Sequence, residues 1–364
     1  MLTIYVKPTN YCNIGCDHCY LPLETRADKT RMSEEKIREV AQFACDLMAR
    51  EGHNKLNVIW HGGEPMTLSP EYFYRAGEIL DEVVGKGRYF ESIQTSLIPY
   101  THEWAQLVHD RFDGHIGSSI DFSLRSVKGS FDSYVELWMK KVTMAREDGI
   151  TVIPGMVPTR MEVGKGAQIV QWMIDNGFDA FNIDRYSAIG STSSIERPSN
   201  AQHGRFLKEL FEATMENLSK GLKTPKINVV SAAIGGVMFG EPGDRWGTSC
   251  QRDFVVIEPD GSTNTCPDRA KHEPSYSNTS AGAVEFAISE PRRKWIMVQD
   301  ITHKKDHCLS CEYRNWCKSG CPVTPNGPDD GEPECSGYKT YLTSIDQFVE
   351  SEENANMCKK YLAS

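Results

Sequence analysis

Cys12, Cys16 and Cys19 form a C-x3-C-x2-C array, and a second group follows far downstream: Cys250, Cys266, Cys308, Cys311, Cys317, Cys321 and Cys335. Thiolates at such spacings are soft ligands suited to zinc or to iron–sulfur clusters. Three thiolates can bind three irons of a cubane and leave the fourth iron without a protein ligand. A small molecule offering an amino group and a carboxylate could chelate that open iron. The competing reading is a zinc site, which usually wants four protein ligands in paired halves. No second half lies near Cys12, and His18 cannot easily share one tetrahedral ion with the adjacent Cys19.

The compartment follows from what surrounds the thiols. The first segment, MLTIYVKPTNYC, has no basic start followed by a long apolar run, and no other stretch approaches the length that spans a bilayer. The expectation is a cytoplasmic protein with no membrane partner. There, metal ligation explains twelve cysteines better than disulfides do. Cys45 and Cys358, outside both groups in helix-like sequence, read as buried free thiols. A net charge of −10 gives no basic field for a phosphate backbone, so no nucleic-acid partner is expected.

The elements that must position the thiols are legible as an alternation. Leu2–Lys7, Lys55–His61, Tyr89–Thr95, His115–Asp121, Thr151–Met156 and Ala180–Tyr186 read as strands. Between them, Ile37, Val40, Ala41, Ala44, Leu47 and Met48 recur at helical spacing, as do Phe73, Ala76, Ile79, Leu80 and Val83 behind a Ser69-Pro70 helix start. Six βα units are too few to close an eight-stranded barrel. The expected fold is therefore α/β, with a partial (β/α)6 TIM-type barrel over residues 1–224. Residues 225–340 form a small loop-rich cysteine domain with a hairpin signal in Phe254–Cys266 around Pro259-Asp260-Gly261. Residues 341–364 close as a C-terminal helix, within a helical pattern running Tyr338–Tyr361 whose Glu350, Glu352 and Glu353 make a solvated face.

The first array resembles the signature of the radical S-adenosylmethionine (SAM) superfamily, with Tyr20 as the aromatic residue after the third cysteine. His61-Gly62-Gly63-Glu64-Pro65 is similar to the family's GGEP segment. That resemblance implies that Gly62, Gly63 and Glu64 hold the SAM amino group. Ile93-Gln94-Thr95-Ser96 stands where the family carries QTN, and Ser119-Ile120-Asp121 is similar to its SID strand, so Ser96, Ser119 and Asp121 join the implied SAM contacts. Ser96 replaces the usual asparagine, and Phe122-Ser123 replaces the usual Gly-Pro. Arg125 could meet the SAM carboxylate; a solvated surface arginine is the competing reading.

The downstream group runs C-x10-G-x4-C through Gly261, then C-x2-C-x5-C-x3-C, then Cys335, and resembles the SPASM domain of such enzymes. The resemblance implies two auxiliary [4Fe–4S] clusters beside the SAM-binding one. The outer would take Cys308, Cys311, Cys317 and Cys335, and the inner Cys250, Cys266 and Cys321. Sulfatase-maturing members place an eighth cysteine just before the first, and none lies between Cys45 and Cys250 here. Asp244 is nominated as an oxygen ligand in its place, against a plain turn residue. A pair of zinc knuckles is the alternative for the whole domain.

By the same resemblance, the chain is a radical SAM oxidoreductase or maturase: a 5′-deoxyadenosyl radical takes a substrate hydrogen, auxiliary clusters carry an electron away, and a reducing partner such as flavodoxin or ferredoxin feeds the first cluster. Asp268, in Cys266-Pro267-Asp268, is the candidate base, against a solvated carboxylate beside Arg269. The expected substrate is a ribosomally synthesised peptide receiving a carbon–carbon or thioether crosslink. Formylglycine formation on a sulfatase, or redox or decarboxylation chemistry on a small-molecule sugar or nucleoside intermediate, are the alternatives. Only eleven residues precede Cys12, which counts against the leader-binding domain of many peptide maturases. The polar stretch 186–194 is expected at the barrel mouth, either reading substrate or as a flexible loop.

Overall fold

A computed structural model of the chain describes residues 1–16, 19, 21–186, 197–243, 246, 253–264, 266, 277–280, 284, 306–318, 320, 321 and 331–364. The chain divides into two compact units, one of residues 1–152, 188–192 and 250–295, the other of residues 153–187, 193–249 and 296–364. Among the described residues, no helix is long and apolar enough to cross a membrane.

The first unit is built on β1 (Leu2–Val6), β2 (Leu56–Trp60), β3 (Tyr89–Thr95) and β4 (His115–Ser119), with β5 (Thr151–Met156) carrying the chain out of it. Neighbours from β1 to β4 pair in parallel, each strand followed by helix, which is the α/β core of a partial TIM-type barrel. Leu2, Ile4 and Val6 alternate inward with Leu56, Val58 and Trp60, because side chains along a strand point to opposite faces. Helix Glu34–Glu51 covers them with the stripe from Ile37 to Met48; Ser33 caps its start, accepting from the Lys36 N–H, and Gly52 at φ 76° ends it.

Helix Pro70–Leu80 places Phe73 edge-on to Trp60, ring centroids 5.5 Å apart. Past Leu80 one π-helical turn, Asp81–Gly85, inserts a residue into the helical period. The core side chain there is consequently Val84, not the Val83 that uninterrupted spacing predicts.

The hairpin foreseen in Phe254–Cys266 forms as β8 (Phe254–Ile257) and β9 (Ser262–Asn264), and its role was not foreseen: β8 adds in parallel beside β1. Thr3 to Val6 pair with Phe254 to Ile257, so the sheet of this unit runs β10-β9-β8-β1-β2-β3-β4, where β10 is Ser277–Asn278. Gly261, at φ 84°, closes the turn where a Cβ would press on Thr279 and Lys36.

In the second unit, β6 (Ala180–Ile183) pairs in parallel with the end of β5 and with β7 (Lys226–Ile227). Helix Asn200–Ser219 begins with a Ser199/Gln202 capping box and packs on Gly166, whose missing side chain lets Glu209 approach. The C-terminal pattern resolves into two helices, Lys339–Phe348 and Glu352–Ala363, instead of one. The break is set by Ser351, whose hydroxyl caps the second helix by accepting from the Asn354 N–H at 3.2 Å. Glu350, Glu352 and Glu353 are exposed.

Candidate active site

Parallel pairing brings the ends of β1, β2, β3, β4 and β8 to one edge, and the residues that follow those ends make the site. The loop after Val6 carries Cys12, Cys16 and Cys19. Its path is fixed by the loop after β2: the Gly63 N–H donates to the Thr9 carbonyl at 3.0 Å, and the Glu64 N–H to the Tyr11 carbonyl at 2.8 Å. A Cβ on Gly62 or Gly63 would collide with the carbonyl oxygens of Thr9, Asn10 or Tyr11, and Gly62 also sits at φ 116°. Glycine is thus required at both positions by contact between two loops.

The three thiols are half-buried. Burial pushes the Cys16 thiol up to about 12, while the nearby Arg125 guanidinium pulls it back. Bare thiolates are therefore disfavoured in this loop. Cationic iron would offset that cost, binding with release of the thiol protons.

Glu64 is 1% exposed, and its carboxylate is filled from within the protein. One oxygen accepts from the Met66 N–H at 3.0 Å and the Thr95 hydroxyl at 2.5 Å. The other accepts from the Ser96 N–H at 2.8 Å and from the Ser96 hydroxyl. Glu64 therefore locks the loop after β2 to the end of β3. Thr95 was passed over in the sequence in favour of Ser96, although it also holds the Leu97 N–H at 3.0 Å, fixing Leu97 in a left-handed conformation at φ 66°. The Ser119 hydroxyl accepts from the Gln94 amide at 3.2 Å. Asp121 is buried and accepts from Arg125 Nε at 2.5 Å. With its side chain 12% exposed, Arg125 is not a solvated surface arginine.

One cluster at this edge has no counterpart in the sequence reading. Lys7 Nζ donates to Glu258 Oε1 at 2.7 Å with both groups buried, and the amides of Asn10 and Asn264 each reach the Glu258 carboxylate at 3.4 Å. Beside Lys7, His61 Nδ1 accepts the Gly62 N–H at 2.8 Å, which leaves the ring proton on Nε2. Burial first, then the charge of Lys7, hold this imidazole neutral down to about pH 3. A lysine ending an apolar strand was the available signal, since buried charges need partners. Its partner stands 251 positions away, beyond any local pattern.

In the second unit Cys308, Cys311, Cys317 and Cys335 line one cavity of about 360 Å³, together with Arg314, Gly337 and Lys339. A Cβ on Gly337 would lie 2.6 Å from Cys317 Sγ. Burial pushes the Cys317 thiol up to about 12, and the nearby Cys335, Cys311 and Cys308 add to it. Among the described residues, no three Cys, His, Asp or Glu side chains converge as for a single ion. Four thiols lining one cavity are soft donors of the kind that hold zinc or iron–sulfur clusters. Cys321 and Cys266 are half-buried and do not line that cavity. Tyr20, Asp244, Cys250, Asp268 and the stretch 187–194 lie outside the described residues. Of the two lone thiols, Cys358 is fully buried, but Cys45 is only half-buried.

Residues 6–166 match the family model described as the Radical SAM superfamily. The chain carries a radical SAM domain. That domain's cofactors are SAM and a [4Fe–4S] cluster, and Cys12, Cys16 and Cys19, three thiols on one loop beside the Gly62-Gly63 backbone, fit the cluster. With that domain and with sequence similarity to sulfatase-maturating enzymes, the protein is an enzyme. The serine-type anaerobic sulfatase-maturating enzyme of Klebsiella aerogenes is 20% identical over 94% of this chain and 84% of its own. A structure described as native anSMEcpe with bound AdoMet and Cp18Cys peptide has a TM-score of 0.77 at 17% identity, covering 99% of both chains. Streptococcus suis SuiB bound to precursor peptide SuiA has a TM-score of 0.60 at 15% identity, covering 88% of this chain and 71% of that one.

Proposed function

We propose that this radical SAM enzyme oxidises a residue within a peptide, installing a carbon–carbon or thioether crosslink in a ribosomally synthesised substrate. The observation that carries the reading is the fold shared over 99% of the chain with a protein described as holding AdoMet and a peptide together. The SuiB likeness supports it from a second peptide-bound protein. When bound, the reduced cluster and SAM supply a 5′-deoxyadenosyl radical that takes a hydrogen atom from the substrate.

The chain's own residues do the rest. Gly62 and Gly63 leave bare backbone next to the cysteine loop, and Glu64, Thr95 and Ser96 hold that backbone still. Rigid placement matters because an ångström of misalignment at a radical centre costs rate steeply. Oxidation releases an electron and a proton. Cys308, Cys311, Cys317 and Cys335 are assigned to an outer auxiliary cluster, Cys250, Cys266, Cys321 and Asp244 to an inner one, and Asp268 to the base. A cytoplasmic flavodoxin or ferredoxin is the proposed reductant.

A second reading, formylglycine formation on a sulfatase, is favoured by the match over 94% of this chain to a sulfatase-maturating enzyme. Anaerobic incubation of the reconstituted enzyme with candidate peptides, reductant and SAM separates the two by mass spectrometry with a hydrazide aldehyde trap. Loss of two hydrogens without trapping supports crosslinking, and a trapped aldehyde supports the second reading. Absence of reductant-dependent 5′-deoxyadenosine would overturn both.

A further inference from the structure

Arg125 is joined to the first cysteine loop by its backbone and to Asp121 by its side chain. Cys16 and Arg125 face each other across an isolated antiparallel bridge, and the guanidinium Nε donates to Asp121 Oδ2 at 2.5 Å. The two side chains are 12% and 2% exposed, so water screens neither charge well.

We infer that Arg125 and Asp121 are an opposed pair of positioning charges that set the reduction potential of the cluster held by Cys12, Cys16 and Cys19. The inference rests on reading those thiols as iron ligands. Reduction transfers one electron from an external low-potential donor to the cluster, with no bond made or broken and no proton moved. The reduced form is more negative by one charge. A buried cation therefore stabilises it more than the oxidised form, and a buried anion does the reverse. Arg125 makes the cluster easier to reduce and Asp121 holds that gain in check, so the two residues act with opposite sign.

This role differs from gripping the SAM carboxylate. An arginine that only bound SAM would change SAM affinity and leave the potential of the SAM-free cluster unmoved.

The test is an anaerobic redox titration of the reconstituted full chain followed by electron paramagnetic resonance, using the part of the [4Fe–4S]+ signal that changes on adding SAM to identify the cluster. At a fixed applied potential, Arg125→Gln is expected to lower the reduced-to-oxidised ratio about tenfold, equivalent to 59 mV for a one-electron couple. Asp121→Asn is expected to raise it by a similar factor, and Arg125→Lys to stay near wild type. Shifts of the same sign in Arg125→Gln and Asp121→Asn would overturn the inference, as would weaker SAM binding with no change in potential. Should Arg125→Gln fail to assemble the cluster, the other two variants decide: an unmoved Asp121→Asn sinks it. A wild-type chain with no SAM-sensitive signal would instead refute the ligand assignment beneath it.

Discussion

Ser96 meets one carboxylate oxygen of Glu64 twice, through its backbone N–H at 2.8 Å and through its hydroxyl. With Thr95 and Met66 on the other oxygen, the carboxylate has four protein donors and no exposed face. Its main work is to fix the distance between the loop after β2 and the end of β3. A SAM ammonium would add to a group that is already satisfied.

Removal of the hydroxyl therefore has a stability cost as well as a binding one. Ser96→Ala should lower the unfolding free energy by about 1.5–3 kcal/mol, the range for a hydrogen bond to a charged group, and weaken SAM binding. Glu64→Gln should cost more, because its amide turns a donor toward donors. Urea unfolding and equilibrium SAM binding read both; wild-type stability in the two variants would show that the lock has no weight.

The Lys7–Glu258 pair is buried, and its worth is tested by breaking it from either side. Lys7→Met or Glu258→Leu should each destabilise by about 3–5 kcal/mol, mostly through the charge left unpaired. The double variant Lys7→Met/Glu258→Leu should recover much of that loss. A double variant that is merely the sum of the singles would mean that the two groups are not coupled.

Gly337 leaves no room for a methyl group beside Cys317 Sγ. If the four thiols around that cavity hold a cubane, Gly337→Ala should reduce the iron content of the reconstituted chain by about four from about twelve per chain. Reductant-dependent 5′-deoxyadenosine formation should persist. Unchanged iron would remove the cavity from the list of cluster sites.

His61 gives a pH signature. Its folded-state pKa is depressed to about 3 by burial and by Lys7, with Arg125 acting in the same direction. Between about pH 6.5 and 3 the unfolded chain takes up a proton that the folded chain refuses, so stability falls as pH falls. The slope approaches about 1.4 kcal/mol per pH unit at the acid end. His61→Gln keeps an acceptor for the Gly62 N–H and should lose that slope, measured by urea midpoints from pH 5 to 7.5. An identical slope in both proteins would place the proton elsewhere.

What the sequence by itself determined was whatever depends on near neighbours. Cysteine spacing identified the thiol loop, apolar alternation located β1 to β6, and helical spacing marked the face from Ile37 to Met48, because each pattern repeats within a few residues. Tertiary structure decided what depends on distant partners. Lys7 is buried because Glu258 arrives just past the end of β8, which pairs beside β1, and Arg125 is largely withdrawn from water, with Asp121 as the partner of its charge. The shift from Val83 to Val84 came from a single π-helical turn that periodicity does not encode. A pairing across 251 positions leaves no local trace: the free energy that fixes it comes from burying both charges together, and that burial exists only once the sheet has formed.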